Sequence, residues 1–301
     1  MYTRDIIMNI PTYFIHISDT HIGPTKSYER HGFASYPCAE KMVEIINSFH
    51  HRPDFVIHTG DVVTDPDSSS YKLAAELFDR LEVPIYFANG NHDTAQDIRK
   101  YLRMGEKTDL MDDELVYRFD VNGNRFLVID GRAPDELDPH GLISEKQLEI
   151  LRQECTAEGP PLTIFLHYPL WPINSTWFDS HMMVINAAEL HDIFLTARDR
   201  LTGVFHGHIH QPMQTIKDGI VYTCAPSTFA QFAAWPGAKD PAFVKDPPGY
   251  AFVHLYQGQT IVHQHTFERV LPKKAKKGSK IKTVAFRPPE RAATTFRLME
   301  K

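Results

Sequence analysis

The run His58-Thr59-Gly60-Asp61-Val62-Val63 holds the most consequential carboxylate in this 301-residue chain. Asp61 follows Phe55-Val56-Ile57-His58, a short apolar run that predicts a buried strand. Gly60 permits a sharp turn at the strand's end. The carboxylate is thereby left at the C-terminal mouth of a sheet, where open α/β proteins bind ligands. Its two oxygens can bridge two metal ions. Other strand-like runs end in the same way. Tyr13 to Ile17 leads into Asp19-Thr20-His21, and Val83 to Ala88 leads into Asn89-Gly90-Asn91-His92-Asp93. Leu162 to Leu166 delivers His167, and Leu201 to Phe205 delivers His206-Gly207-His208-Ile209-His210.

Each fragment alone has a plainer reading. Asp19-x-His21 fits a loop with a surface histidine, and Asn89-Gly90-Asn91 fits a turn. Together the fragments offer one donor set: Asp19, His21, Asp61, Asn91, His167, His208 and His210. In extended chain, Asp19 and His21 share one side, as do His208 and His210. With Asp61 bridging, one ion takes Asp19, His21, Asp61 and His210, and the other takes Asp61, Asn91, His167 and His208. Paired ions of this kind sit about 3.5–4 Å apart and turn solvent into a hydroxide nucleophile at neutral pH. They also neutralise phosphoryl oxygens during in-line displacement. Mixed nitrogen and oxygen donors suit Mn or Fe, with Zn acceptable and Mg or Ca less suited. His92 is the candidate proton donor to the leaving group. His206 reads as core or as support behind the donors, and Asp93 as the cap of a helix carrying Ile98, Tyr101 and Leu102. No Gly-rich dinucleotide or P-loop fingerprint and no Gly-x-Ser-x-Gly elbow is present.

The surrounding pattern supplies the elements to hold these residues. Apolar spacing predicts helices from about Ala39 to Phe49, through Leu73, Leu77, Phe78 and Leu81, from the Ser144 capping box to Glu154, and through Leu190 to Leu195. Asp65 to Ser70 reads as a turn, with Asp65 either supporting the site or shaping the loop. Asn122-Gly123-Asn124 predicts a hairpin. Residues 214–217, 220–223, 250–256 and 260–269 predict antiparallel strands. His140 fits a pocket mouth or the surface, and the loop from Trp171 to Phe178 fits a pocket wall, with Trp171 itself in plain packing. The long loop from Phe229 to Pro248 suggests a lid or a dimer contact.

Composition sets the outer bounds. A chain that is 42% hydrophobic can bury a large core, and a net charge of −6 gives no global field for nucleic acid or membrane. Cys38, Cys155 and Cys224 are odd in number and widely spaced, which points to a reducing, cytoplasmic setting. No signal-peptide pattern precedes Pro11, and no apolar run suits a membrane span. From Leu271 the composition turns basic, with Lys273, Lys274, Lys276, Lys277, Lys280 and Lys282 in a Gly/Ser/Ala setting. Residues 271–301 therefore read as a solvated tail, able to touch anionic surfaces.

Asp19-x-His21, Gly60-Asp61, Gly90-Asn91-His92-Asp93, His167 and Gly207-His208-Ile209-His210 resemble the calcineurin-like metallophosphoesterase signature in order and spacing. His140-Gly141 with Ser144-x-x-Gln147-Leu148, Ala225-Pro226-Ser227-Thr228 with Gln231-Phe232, and Pro247-Pro248-Gly249-Tyr250 are similar to its class III cyclic-nucleotide phosphodiesterases, the bacterial 3′,5′-cAMP group. The likeness spans residues 13–269 and implies a metallophosphoesterase domain over 1–270. It implies a four-layer α/β/β/α sandwich of two mixed β-sheets, a dinuclear Fe/Mn-type centre, and often a homodimer. Two positions depart from the family pattern: Tyr168 stands where many members have a second His, and Thr64 where many have an acid that orients the catalytic His. The activity implied is hydrolysis of 3′,5′-cyclic nucleotides by a metal-bridging hydroxide, with His92 assisting the leaving group. The alternatives are a glycerophosphodiester or other phosphodiester hydrolase of the same fold, and a non-catalytic scaffold.

Overall fold

A computed structural model describes residues 10–271. Two mixed sheets lie face to face. The first has five strands in the order Gln259–Thr266, Gly249–Tyr256, Thr12–Ile17, Phe55–His58, Ile85–Phe87. The second has seven, in the order Met213–Lys217, Ile220–Cys224, Leu201–His206, Leu162–Phe165, Asn124–Val128, Tyr117–Val121, Thr108–Asp109. The central pairings of each sheet are parallel. Among their strands, Phe55–His58, Ile85–Phe87 and Leu162–Phe165 are buried at every position and mostly apolar.

Phenylalanines form the seam between the sheets. The Phe14 ring meets Phe126, Phe165 and Phe205 edge-on, at centroid distances of 6.0, 5.6 and 5.4 Å. Phe55 meets Phe126 at 4.8 Å. Burying each such ring contributes about 2 kcal/mol. Helices Ser35–Asn47 and Ser68–Phe78 bury their apolar sides in the core of the first sheet, and Glu145–Glu154 and Ala187–Thr196 bury theirs in that of the second. The predicted four layers result.

Several predicted boundaries move. The first helix starts at Ser35 rather than Ala39, because Pro37 falls in its first turn, where a missing N–H costs no intrahelical bond. Ser68, Ser69 and Ser70 are helical rather than turn residues: Asp67 caps them by accepting from the Ser69 and Ser70 N–H groups. That helix ends at Phe78, before Leu81. The last strand stops at Thr266 rather than Arg269, whose guanidinium lies 4.6 Å from the Phe33 ring centroid. The three cysteines are free and buried. Among the described residues, no helix is long and apolar enough to cross a membrane. The basic tail, apart from Leu271, lies outside the described residues.

Candidate metal centre

The parallel strands Thr12–Ile17 and Phe55–His58 pair Ile17 with His58 and then continue side by side beyond their ends. Asp19 N–H donates to Gly60 O at 3.0 Å, His21 N–H to Asp61 O at 3.0 Å, and Ile22 N–H to Val62 O at 2.9 Å. The loops carrying Asp19, His21 and Asp61 are thus one ladder. The side chains do not converge through extended backbone, as their spacing suggested. Asp19, His21, Asp61, His208 and His210 have φ of 55, 45, 56, 71 and 50°. Left-handed backbone in these residues costs about 1–2 kcal/mol each. It is held by tertiary bonds such as His208 N–H to both Asp19 carboxylate oxygens at 3.2 Å. Two glycines allow the crowding: a Cβ on Gly90 would overlap Asp61, and one on Gly207 would overlap Ser18 and Asp19.

Two donor groups result, and both contain Asp61. Asp19, His21, Asp61 and His210 form one, and Asp61, His167 and His208 the other, all buried. His210 Nε2 lies 3.3 Å from Asp19 Oδ1 and 3.2 Å from His21 Nε2, while His21 Nε2 lies 3.5 Å from Asp61 Oδ2. In the second group His167 Nε2 is 3.4 Å from Asp61 Oδ2 and 2.9 Å from His208 Nδ1.

Backbone carbonyls fix three of these rings. His167 Nδ1 donates to Thr59 O at 2.6 Å, His210 Nδ1 to Ala230 O at 2.7 Å, and His208 Nε2 to Pro139 O at 3.0 Å. Each ring then turns a lone pair inward, as metal-ligating histidines do. His167 Nε2 and His208 Nδ1 face each other at 2.9 Å, an arrangement that needs either a shared proton or a cation between them. Asn91 Oδ1 is buried without a hydrogen-bond partner, and Asn91 lines the same cleft as Asp61 and His208. The donors therefore fit two cations sharing Asp61. The electrostatics agree. Burial opposes ionisation of Asp61 and Asp19, but the surrounding histidines outweigh it and hold both carboxyls below the usual range. Burial likewise pushes His167 down, yet Asp61 and Asp19 raise it to about 9.

His92 sits at the edge of this centre, its ring 4.9 Å from that of His21. Its N–H donates to Asp61 Oδ1 at 3.0 Å, and its Nδ1 to Thr64 O at 2.6 Å. The departure at Thr64 is thus harmless to orientation, because the backbone carbonyl holds the ring. Asp65 is exposed and only shapes the loop. Tyr168 is fully buried and fills the space against Gly131 and Gly141, with its ring 4.9 Å from that of His208.

Asp93 is not a helix cap. Thr94 caps helix Ala95–Tyr101, its Oγ1 accepting from Asp97 N–H at 3.1 Å. Asp93 is fully buried and accepts from the N–H groups of Val62, Val63 and Gly90 at 3.1, 3.3 and 3.2 Å. It clamps the turn after Asp61 to the turn carrying Asn91. Burial, then Asp61, pushes its carboxyl up to about 7. His206 is buried as expected, together with His16 and His58. Burial lowers His16 and His58 to about 3 and His206 to about 4.

The centre opens into a cleft of about 360 Å³, lined in part by Asn91, His92, Arg30, Trp177, Phe232 and Phe243. His140 is turned away, its Nδ1 3.2 Å from Met183 O, while its neighbours Asp138 and Pro139 line the cleft. Trp171 packs on His191 at 4.9 Å. The sequence reading missed the short hairpin of Glu29–Arg30 and Phe33–Ala34, which places Arg30. Its only cue was Gly32 in an otherwise patternless run.

A family model described as calcineurin-like phosphoesterase matches residues 12–212. A 3′,5′-cyclic adenosine monophosphate phosphodiesterase, CpdA of Pseudomonas aeruginosa, is 30% identical over 244 residues, covering 80% of this chain and 85% of that one. A probable glycerophosphodiester phosphodiesterase, GpdQ of Arcobacter nitrofigilis, is 24% identical over 254 residues, covering 84% and 91%. Among solved structures, GAP50, the anchor in the inner membrane complex of Plasmodium, superposes with a TM-score of 0.54 at 11% identity, over 87% of this chain and 90% of that one. That last likeness bears on the fold alone. The match across the family's domain, together with the buried Asp/His donor groups, identifies the chain as a member of the calcineurin-like phosphoesterases and a metal-dependent phosphodiester hydrolase.

Proposed function

We propose that the chain is a dinuclear phosphodiesterase that hydrolyses 3′,5′-cyclic nucleotides, cyclic AMP foremost. The observation that carries this is a single carboxylate, Asp61, shared by two buried donor groups, with Asn91 Oδ1 left unpartnered beside them. Asp19, His21, Asp61 and His210 would hold one ion, and Asp61, Asn91, His167 and His208 the other. The donor mixture suits Mn or Fe, and Zn. When bound, the ions supply Lewis acidity to the phosphoryl oxygens and acidify water to a nucleophile.

The remaining work falls to the chain. Thr59, Ala230 and Pro139 keep three imidazoles in the ligating tautomer. Asp93 keeps Asp61 and Asn91 in register. His92, fixed through Nδ1 by Thr64 O, lines the cleft with Nε2 beside Arg30; carrying a proton on both ring nitrogens, it would give the Nε2 proton to the departing ribose oxygen as the P–O3′ bond breaks. The choice of a cyclic nucleotide is supported by the CpdA relative, which is named for that activity. The GpdQ relative supports the second reading, a glycerophosphodiester substrate. The free buried thiols suit a cytoplasmic setting.

The test is turnover by Mn-loaded protein of cyclic AMP, cyclic GMP, 2′,3′-cyclic AMP, glycerophosphocholine and bis-p-nitrophenyl phosphate, with Asn91→Ala as control. Preference for the 3′,5′-cyclic nucleotides supports the proposal. Cyclic AMP turnover at least tenfold below that of glycerophosphocholine overturns the substrate. Sedimentation of the same preparation reads whether it is the homodimer that the family resemblance implies.

A further inference from the structure

The hairpin Glu29–Ala34 sets a guanidinium beside the centre. Arg30 Nη2 lies 3.2 Å from His92 Nε2, and Nη1 lies 3.5 Å from Thr64 O. Among the described residues no carboxylate forms an ion pair with Arg30, although Asp138 lines the same cleft. A half-buried guanidinium without a counter-ion, next to the residue that meets the leaving group, is a place for an anion.

The loop facing this hairpin is aromatic. Its short strands Gln231–Phe232 and Phe243–Val244 pair Phe232 with Phe243, whose rings stack at 4.5 Å and 29°. Phe243 also stacks on His31 at 4.6 Å and 27°, which ties the loop to the Arg30 hairpin. Phe232 lies 4.4 Å from the ring of His210, so the aromatic surface begins directly beside a metal-ligand candidate. Both phenylalanines are only half-buried and line the cleft, with Trp177 alongside. The parts of both rings left facing the cleft give an apolar wall against which the edge or face of a base can pack. A glycerol-type head group has no planar face to use them.

We propose that this hairpin and loop form a nucleotide-recognition cleft, in which Arg30 binds a non-bridging phosphoryl oxygen and Phe232 and Phe243 wall the base. This deepens, and rests on, the cyclic-nucleotide reading. It also gives the hairpin a purpose: it fixes the distance between the phosphate contact and the base wall. Arg30 acts by positioning the phosphoryl group against the centre, and Phe243 by selecting nucleotides over smaller diesters.

Calorimetric titration of Mn-loaded protein with AMP and with ribose 5-phosphate separates the parts, since only AMP carries a base. Wild type should bind AMP about tenfold more tightly than ribose 5-phosphate. Arg30→Ala should weaken both ligands by roughly tenfold or more, with Arg30→Lys restoring part of the loss. Phe243→Ala should weaken AMP more than ribose 5-phosphate, and Phe243→Tyr should keep the preference. Arg30→Ala within twofold of wild type for both ligands, or equal binding of AMP and ribose 5-phosphate by wild type, overturns the proposal. The two readings fail separately. Tight, base-dependent AMP binding without cyclic AMP turnover removes the substrate assignment and keeps the cleft. Cyclic AMP turnover without base-dependent binding does the reverse.

Discussion

Replacing Asp93 by alanine should unfold the protein far more readily than a single lost side chain suggests. Its Oδ2 accepts from Val62 N–H and Gly90 N–H, and its Oδ1 from Val63 N–H and the Tyr71 hydroxyl. Removing it orphans three buried backbone donors, at about 1–3 kcal/mol each. The expected loss for Asp93→Ala is therefore about 3 kcal/mol or more. Asp93→Asn keeps one acceptor oxygen and orphans one backbone donor, so it should cost only about 1–3 kcal/mol. Removal of charge adds little to this loss, because burial and Asp61 push this carboxyl up to about 7 and so already oppose its ionisation. Urea unfolding of metal-free protein at pH 7, followed by circular dichroism, gives both numbers. In the loaded protein Asp93→Ala should also release metal, since Asp61 and Asn91 are no longer tied together. A loss below 1 kcal/mol for Asp93→Ala, or equal losses for the two variants, would refute the clamp.

His208→Ala and Asn91→Ala should each abolish turnover and halve the bound metal measured by mass spectrometry of metals; retained turnover would sink the two-ion reading. Thr64→Val should leave turnover within about threefold, because a backbone carbonyl orients His92. It should cost about 1 kcal/mol in unfolding through the lost bond from Oγ1 to His21 O. Metal-free protein should lose stability on going from pH 7 to 5.5. Burial holds His16 and His58 to about 3 and His206 to about 4, below their unfolded value of 6.5. Their contribution is complete above 6.5 and falls by about 1.4 kcal/mol each one unit lower. Asp93, raised to about 7, and His167, raised to about 9, work oppositely and offset about 2 and about 1 kcal/mol, while His21 and His208, also depressed, add to the loss. A urea midpoint that is flat or rises on acidification contradicts this.

That these Asp and His side chains gather at one mouth was legible because they stand at or shortly after the ends of apolar runs. Asp61, His167 and His208 stand where strand ends must put them. Their aim was not legible. Spacing implied extended chain, whereas left-handed φ angles at Asp19 and His208 depend on bonds between loops remote in sequence. Asp93 was misread for the same reason. Beside Thr94 it has the local signature of a cap, and its actual partners, Val62 and Val63, are some thirty residues away. Arg30 lay in a hairpin with two-residue strands, too short for any periodicity to register.

The centre straddles the seam between the sheets. Asp19, His21, Asp61 and Asn91 follow strands of the first sheet, and His167, His208 and His210 follow strands of the second. Neither donor group is complete within one sheet. Strand Thr12–Ile17 also waits for Gly249–Tyr256 as its second neighbour, across more than two hundred residues of chain. As the chain is synthesised, the half of the site carrying Asp61 can form early, but it has only part of each ligand set. Metal capture is therefore a late event in maturation, and a loaded centre is a record that both sheets have docked.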